Sequence, residues 1–179
     1  MERLIKASHI EFFKEVLDVD VTNVEIIDTN IDEVGTVGLY SKKNKRIRID
    51  TNKIRGMYGS SKVANLFIST TIVHELTHYC QRELNKSTML PINGLFTGDK
   101  YSVAYYDSAY YEHPLEIDAH ITEVYYLYYL NGDIPAIGEY AKLKLNRIKL
   151  ENISKYVNRL NDKSFVQFLN KSLNIEGGM

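Results

Sequence analysis

Two histidines and a glutamate stand close together in the run STTIVHELTHYCQREL, Ser69 to Leu84, as His74, Glu75 and His78. Residues four apart share one face of a helix, about 40° from superposition, so both imidazoles can aim a ring nitrogen at one ion. Glu75, rotated about 100° from His74, can flank that ion without binding it. Zinc suits such a pair because it accepts imidazole, prefers four ligands and, in a catalytic site, keeps one position for water. In that chemistry the histidines hold Zn2+, the metal acidifies a water and Glu75 takes its proton as general base. The plainer alternative is a pair of core histidines satisfied by hydrogen bonds. Leu66, Ile68, Ile72, Val73, Leu76 and Tyr79 cover a wide arc of the same helix, which therefore reads as buried. Imidazoles and a carboxylate in a buried helix need partners, and a metal is the economical one.

The elements that must position this motif follow from periodicity and punctuation. Residues 2–17 have apolar residues at helical intervals, and His9 within them reads as an ordinary surface or partly buried histidine. VEIID (24–28), TVGLY (36–40) and the alternating RIRID (46–50) read as short strands, with SKKNK as the polar turn of a hairpin over 36–50. A loop, RGMYGSS, precedes the motif helix at about 61–84. Residues 85–112 hold five tyrosines and show no steady period, as a long functional connection would. Pro114 suits the first turn of a second helix that NGD stops near Leu130, and two or three further helices follow from Ile134.

On the second helix, Glu116, His120 and Glu123 share one face, whereas Asp118 points away. Glu116, His120, His113, Glu112 and Glu123 are all donors that could complete a zinc site. The motif His74-Glu75-x-x-His78 resembles that of the zincin metallopeptidases. The metzincin continuation is absent, since YCQREL follows His78 where a glycine and a third histidine would be required. The gluzincin-like branch takes its third ligand from a glutamate on a downstream helix. HPLEIDAH (113–120) is similar to the Pro-x-Glu-x-(Glu/Asp)-Ala stretch of small bacterial and phage putative zinc metallopeptidases. The resemblance implies Glu116 as third ligand, with His120 and His113 as alternative ligands or as groups that steady the site. It also implies an α+β zincin-like fold. In that fold a short, mostly antiparallel sheet packs on the active-site helix, beside a second ligand-bearing helix and C-terminal helices. One departure stands out: His120 occupies the position where thermolysin-like enzymes carry an aspartate that orients a metal-bound histidine.

The activity implied is hydrolysis of peptide bonds, endopeptidase rather than exopeptidase, on a peptide or protein substrate. The oxyanion formed would be stabilised by a tyrosine hydroxyl or a histidine, the candidates being Tyr105, Tyr106, Tyr110, Tyr111 and His113, with Tyr106 and Tyr110 foremost. The plainer alternative is that these rings pack the connection against the core. Substrate would bind as an added strand along the sheet edge, and Arg46 and Arg48 would favour acidic peptides if RIRID is that edge. The rival reading is a catalytically silent zinc-binding regulatory or partner-binding protein of the same fold, encoded by a mobile element.

Composition bounds these readings. At 179 residues and 44% hydrophobic, the chain suits one compact domain, 1–179. A formal net charge of -1 gives no electrostatic reason to expect nucleic acid or an anionic membrane as partner. No apolar run is long enough for a membrane span, and the N-terminal stretch lacks a signal-like apolar core. Cys80, the single cysteine, excludes an internal disulfide and reads as a small core residue. A cytoplasmic setting is the expectation.

Overall fold

The computed structural model describes residues 4–59, 61–84, 86–87, 111–157 and 160–175. Among them are seven helices and a small three-stranded mixed sheet, an α+β architecture. The chain divides into two compact units, residues 1–85 and 86–179. No helix among the described residues is long and apolar enough to cross a membrane.

The first unit begins with α1 (Ala7–Leu17), followed by β1 (Ile26–Asp28), β2 (Gly38–Ser41) and β3 (Arg46–Ile49). The hairpin is present, with Gly38 opposite Ile49 and Ser41 opposite Arg46. Its turn closes through Lys45 in the left-handed region, φ 50°. Alternation in β3 does what the sequence suggests: Ile47 and Ile49 are fully buried while Arg46 is exposed.

Two expectations fail here. The sheet is mixed, because β1 pairs with β3 in parallel, Ile26 opposite Ile47. The order β1-β3-β2 makes β3 the central strand. RIRID is therefore not an edge, and Arg46 is engaged with Glu25 at 2.7 Å. A central strand contacts neighbours on both sides, which local alternation does not reveal.

A helix also stands where a loop was expected, α2 (Thr51–Tyr58). Asp50 starts it as N-cap, its Oδ1 accepting the Lys53 N–H at 2.8 Å. The other carboxylate oxygen accepts the Ile31 N–H at 2.9 Å, and Lys53 Nζ donates to the carbonyls of Ile31, Glu33 and Thr36. Asp50 and Lys53 together thus fasten the connection between β1 and β2. The long helix α3 (Lys62–Glu83) follows and packs on α2, β2 and β3.

α1 is fixed to α3 by His9, which is fully buried rather than at the surface. Ile5, Phe12 and Phe13 are buried on α1 and its approach, and His9 lies one turn from each. The Lys6 N–H donates to its Nδ1 at 3.0 Å. Nε2 must then carry the hydrogen that bridges to Ser69 Oγ on α3 at 2.8 Å.

The second unit is helical among the described residues: α4 (Pro114–Asn131), α5 (Pro135–Leu145), α6 (Leu150–Val157) and α7 (Lys163–Leu173). Gly132 ends α4 with φ 71°, its N–H bonded to the Tyr128 carbonyl at 2.7 Å. α4 packs against α5 and α6, and α5 against α7. The tyrosine-rich run of α4 is packing material: Tyr125 stacks on Phe165 at 4.3 Å and donates to Asp162, the N-cap of α7.

Burial, then the nearby Lys6 charge, lowers the His9 pKa from 6.5 to about 4, against a smaller upward effect of the Ser69 hydrogen bond. The unfolded chain takes up a proton near 6.5 that the folded chain refuses until about 4. This contribution to stability is complete above the unfolded value and is lost as pH falls through that window, by about 3 kcal/mol. Urea unfolding across the window should show a steeper acid loss in the wild type than in His9→Gln. Identical slopes would remove His9 from the explanation.

Candidate metal centre

The middle of α3 is buried on nearly every side, from Thr70 to Thr77 without interruption. Its polar side chains must therefore find partners within the protein. Three threonines do so by turning back on the helix: Thr70 and Thr71 donate to the Phe67 carbonyl, and Thr77 to that of Val73. Such back-bonding lets a β-branched polar residue sit in a buried helix.

His74 and His78, each 8% exposed, satisfy one another. Their Nε2 atoms lie 3.1 Å apart, and the ring planes meet at 84°. His78 Nδ1 bonds Gln81 Oε1 at 2.9 Å, one turn further along α3. An amide oxygen only accepts, so His78 carries its hydrogen on Nδ1 and offers a lone pair at Nε2. The hydrogen between the two rings then belongs to His74 Nε2.

A metal fits this pair. Two nitrogens bound to tetrahedral zinc at about 2.0–2.1 Å lie about 3.3 Å from one another, close to the spacing seen. The donor types are those zinc accepts, and Gln81 holds the far nitrogen of His78, as a ligating histidine requires, whereas His74 would give up its Nε2 hydrogen to bind. Gln81 is a partner of the pair that the motif alone does not name. Its signal was its place three residues after His78, on the same face.

Glu75, 6% exposed, owes its position to a glycine. A Cβ on Gly38 would stand 2.6 Å from Thr71 Cγ2 and 2.8 Å from Glu75 Oε1. The absence of a side chain at Gly38 is what allows β2 to lie against Glu75. Cys80 is fully buried, as a core residue.

In the second unit, α4 carries the other candidates. His113 is the N-cap, its Nδ1 accepting the Leu115 N–H at 3.3 Å, and Pro114 fills the first helical position. Glu116 lies in the first turn, where the helix dipole favours a carboxylate. His120, one turn beyond Glu116 on the same face, is 7% exposed. Its Nδ1 donates to Glu123 Oε1 at 3.0 Å, and the Tyr111 ring stacks near it at 6.1 Å and 12°.

Glu112 forms an ion pair with Lys149, and Asp118 is fully buried, accepting from Ser87 Oγ at 2.6 Å. The structure thus joins His74 to His78 in the first unit and His120 to Glu123 in the second. It gives His113 a capping bond and Glu112 a surface partner. Tyr105, Tyr106 and Tyr110 lie outside the described residues.

Comparison of the chain with protein-family models, curated proteins and solved structures gives no match.

Gly38→Ala should force Thr71 and Glu75 away from β2 and destabilise the fold by about 1–3 kcal/mol. Urea denaturation measures this directly. An unchanged midpoint would mean that the close approach of β2 to Glu75 is not a constraint.

Proposed function

We propose that this protein is a zinc-dependent metallopeptidase of zincin-like fold in which His74, His78 and Glu116 hold the metal and Glu75 is the general base. The observation that carries the reading is the buried imidazole pair, Nε2 to Nε2 at 3.1 Å, with His78 Nδ1 held by Gln81. Two nitrogens bound to one tetrahedral zinc stand about 3.3 Å apart, and the spacing of this pair is close to that.

Bound by these residues, zinc would lower the pKa of a water toward neutrality and polarise a peptide carbonyl. The protein's own contribution is positional. Gln81 keeps the His78 lone pair at Nε2, and Gly38 leaves room for the Glu75 carboxylate beside the histidines. Glu75 takes the proton of the attacking water and delivers it to the departing amine, so one carboxylate serves as base and then acid. Glu116 adds a negatively charged donor to two neutral ones, the mixed set found in catalytic zinc sites.

β2 is an edge of the sheet among the described strands and is the strand that lies against Glu75. An extended peptide pairing along β2 would meet the base, with main-chain hydrogen bonds supplying affinity. This moves the substrate edge from RIRID to GLYS.

Two substitutions separate the roles. Glu75→Gln should retain zinc and lose peptide hydrolysis by about 10²–10⁴-fold, whereas Glu116→Ala should lose zinc. Metal content and cleavage of a peptide library are measured on the same preparations. Undiminished hydrolysis by Glu75→Gln would end its assignment as base, and full zinc occupancy in Glu116→Ala would end that of the third ligand.

A further inference from the structure

Glu123 is 1% exposed, yet it is an ionisable residue at the centre of α4. Three donors converge on its carboxylate. His120 Nδ1 reaches Oε1 at 3.0 Å, while the Tyr140 hydroxyl and Lys144 Nζ, both from α5, reach Oε2 at 2.9 Å and 2.7 Å. Lys144 also lies 5.8 Å from the centre of the Tyr140 ring. A buried carboxylate is costly to desolvate, and the lysine offsets much of that cost. The tyrosine and the lysine engage one oxygen, and the imidazole the other.

The consequence concerns His120 rather than Glu123 itself. A carboxylate only accepts, so His120 must place a hydrogen on Nδ1, and in the neutral ring Nε2 becomes the acceptor atom. We infer that Glu123, braced by Lys144 and Tyr140, is a positioning residue that sets His120 as the Nδ1–H tautomer. His120 then offers the site an electron pair at Nε2 and not an N–H.

His120 is thereby a group that accepts a hydrogen bond or binds a divalent cation, and in its neutral form it is not a donor to an oxyanion. The role of His120 in the site rests on the metallopeptidase reading, whereas its tautomer does not. The same device holds His78, where Gln81 at i+3 accepts from Nδ1. The two differ in how firmly the acceptor is fixed. An amide can turn its NH2 toward the ring and invert the tautomer, while a carboxylate cannot.

That difference supplies the test. In Glu123→Gln, the ammonium of Lys144 can only donate and would claim the single carbonyl oxygen. The amide NH2 would then face His120 Nδ1 and drive the hydrogen to Nε2. Removing the ammonium as well, in the Glu123→Gln/Lys144→Met double variant, frees the amide to turn its oxygen back, because the Tyr140 hydroxyl can accept as well as donate.

Long-range 1H–15N spectra of the full chain, labelled at histidine and assigned with His120→Gln, read the tautomer without metal or substrate. We expect Nδ1–H in the wild type, Nε2–H in Glu123→Gln and Nδ1–H again in the double variant. A general loosening of the core would broaden or average these signals and would not be reversed by a second substitution. An Nε2–H tautomer in the wild type, or Nδ1–H retained in folded Glu123→Gln, overturns the inference.

Titration of the same samples with zinc keeps the two readings distinguishable. The expected tautomers in a wild type that takes up no zinc sustain the positioning role and defeat the metal site. Zinc uptake by a wild type with Nε2–H does the reverse.

Discussion

Two imidazoles and a carboxylate are held on a helix that has almost no solvent-facing side, and much of the first unit can be understood as an answer to that constraint. Polar groups taken from water without partners cost several kcal/mol each, more for an ionised carboxylate. α3 carries His74, Glu75, His78 and Gln81 within its buried stretch, together with three threonines. The threonines are satisfied by their own helix, the histidines by each other and by Gln81. β2 approaches closely enough to shut Glu75 in because Gly38 has no side chain. Asp50 and Lys53 then hold the connection leading into that strand. The result is that these polar side chains find their partners within the first unit.

α4 meets a similar constraint with stronger partners. Both helices place a histidine three residues before a residue that accepts from its Nδ1, His78 with Gln81 and His120 with Glu123. Spacing of i and i+3 puts the two side chains on one face, so the orienting bond costs no rearrangement of the backbone. The amide is neutral and reversible; the carboxylate is charged and needs Lys144 to be tolerated where it is. Where thermolysin-like enzymes carry an orienting aspartate, this chain has His120, itself bonded to Glu123. For His78, that orienting task falls to Gln81 on its own helix.

The two helices bearing the histidines were legible in the sequence because their signals are local. The His74–His78 spacing, Pro114 at the start of α4 and Gly132 at its end all act within one or two turns, and each stands where expected. The hairpin was readable for the same reason. The parallel pairing of β1 with β3 was not, since nothing within Glu25–Asp28 specifies a partner some twenty residues away. α2 was hidden by Gly56 inside its short span, although Asp50 three residues before Lys53 was a capping signal. His9 was misread because imidazole is mostly found partly exposed, while its spacing to Phe12 and Phe13 already put it on the buried face. Gly38 gains meaning only from the Thr71 and Glu75 side chains across from it, whereas Gln81 stood within reach of a spacing argument, one turn after His78. Tyr106 and Tyr110 fall outside the described residues.

The proposed activity requires that the imidazole pair of α3 bind a metal. The most direct measurement is elemental analysis of the wild-type protein purified without chelator, coupled to X-ray absorption at the zinc edge. The account predicts about one zinc per chain, bound by nitrogen and oxygen donors at about 2.0–2.1 Å, with histidine scattering from more than one ring. Protein that carries no stoichiometric divalent metal and does not take up zinc on addition would contradict it, leaving His74 and His78 as a hydrogen-bonded pair within the core.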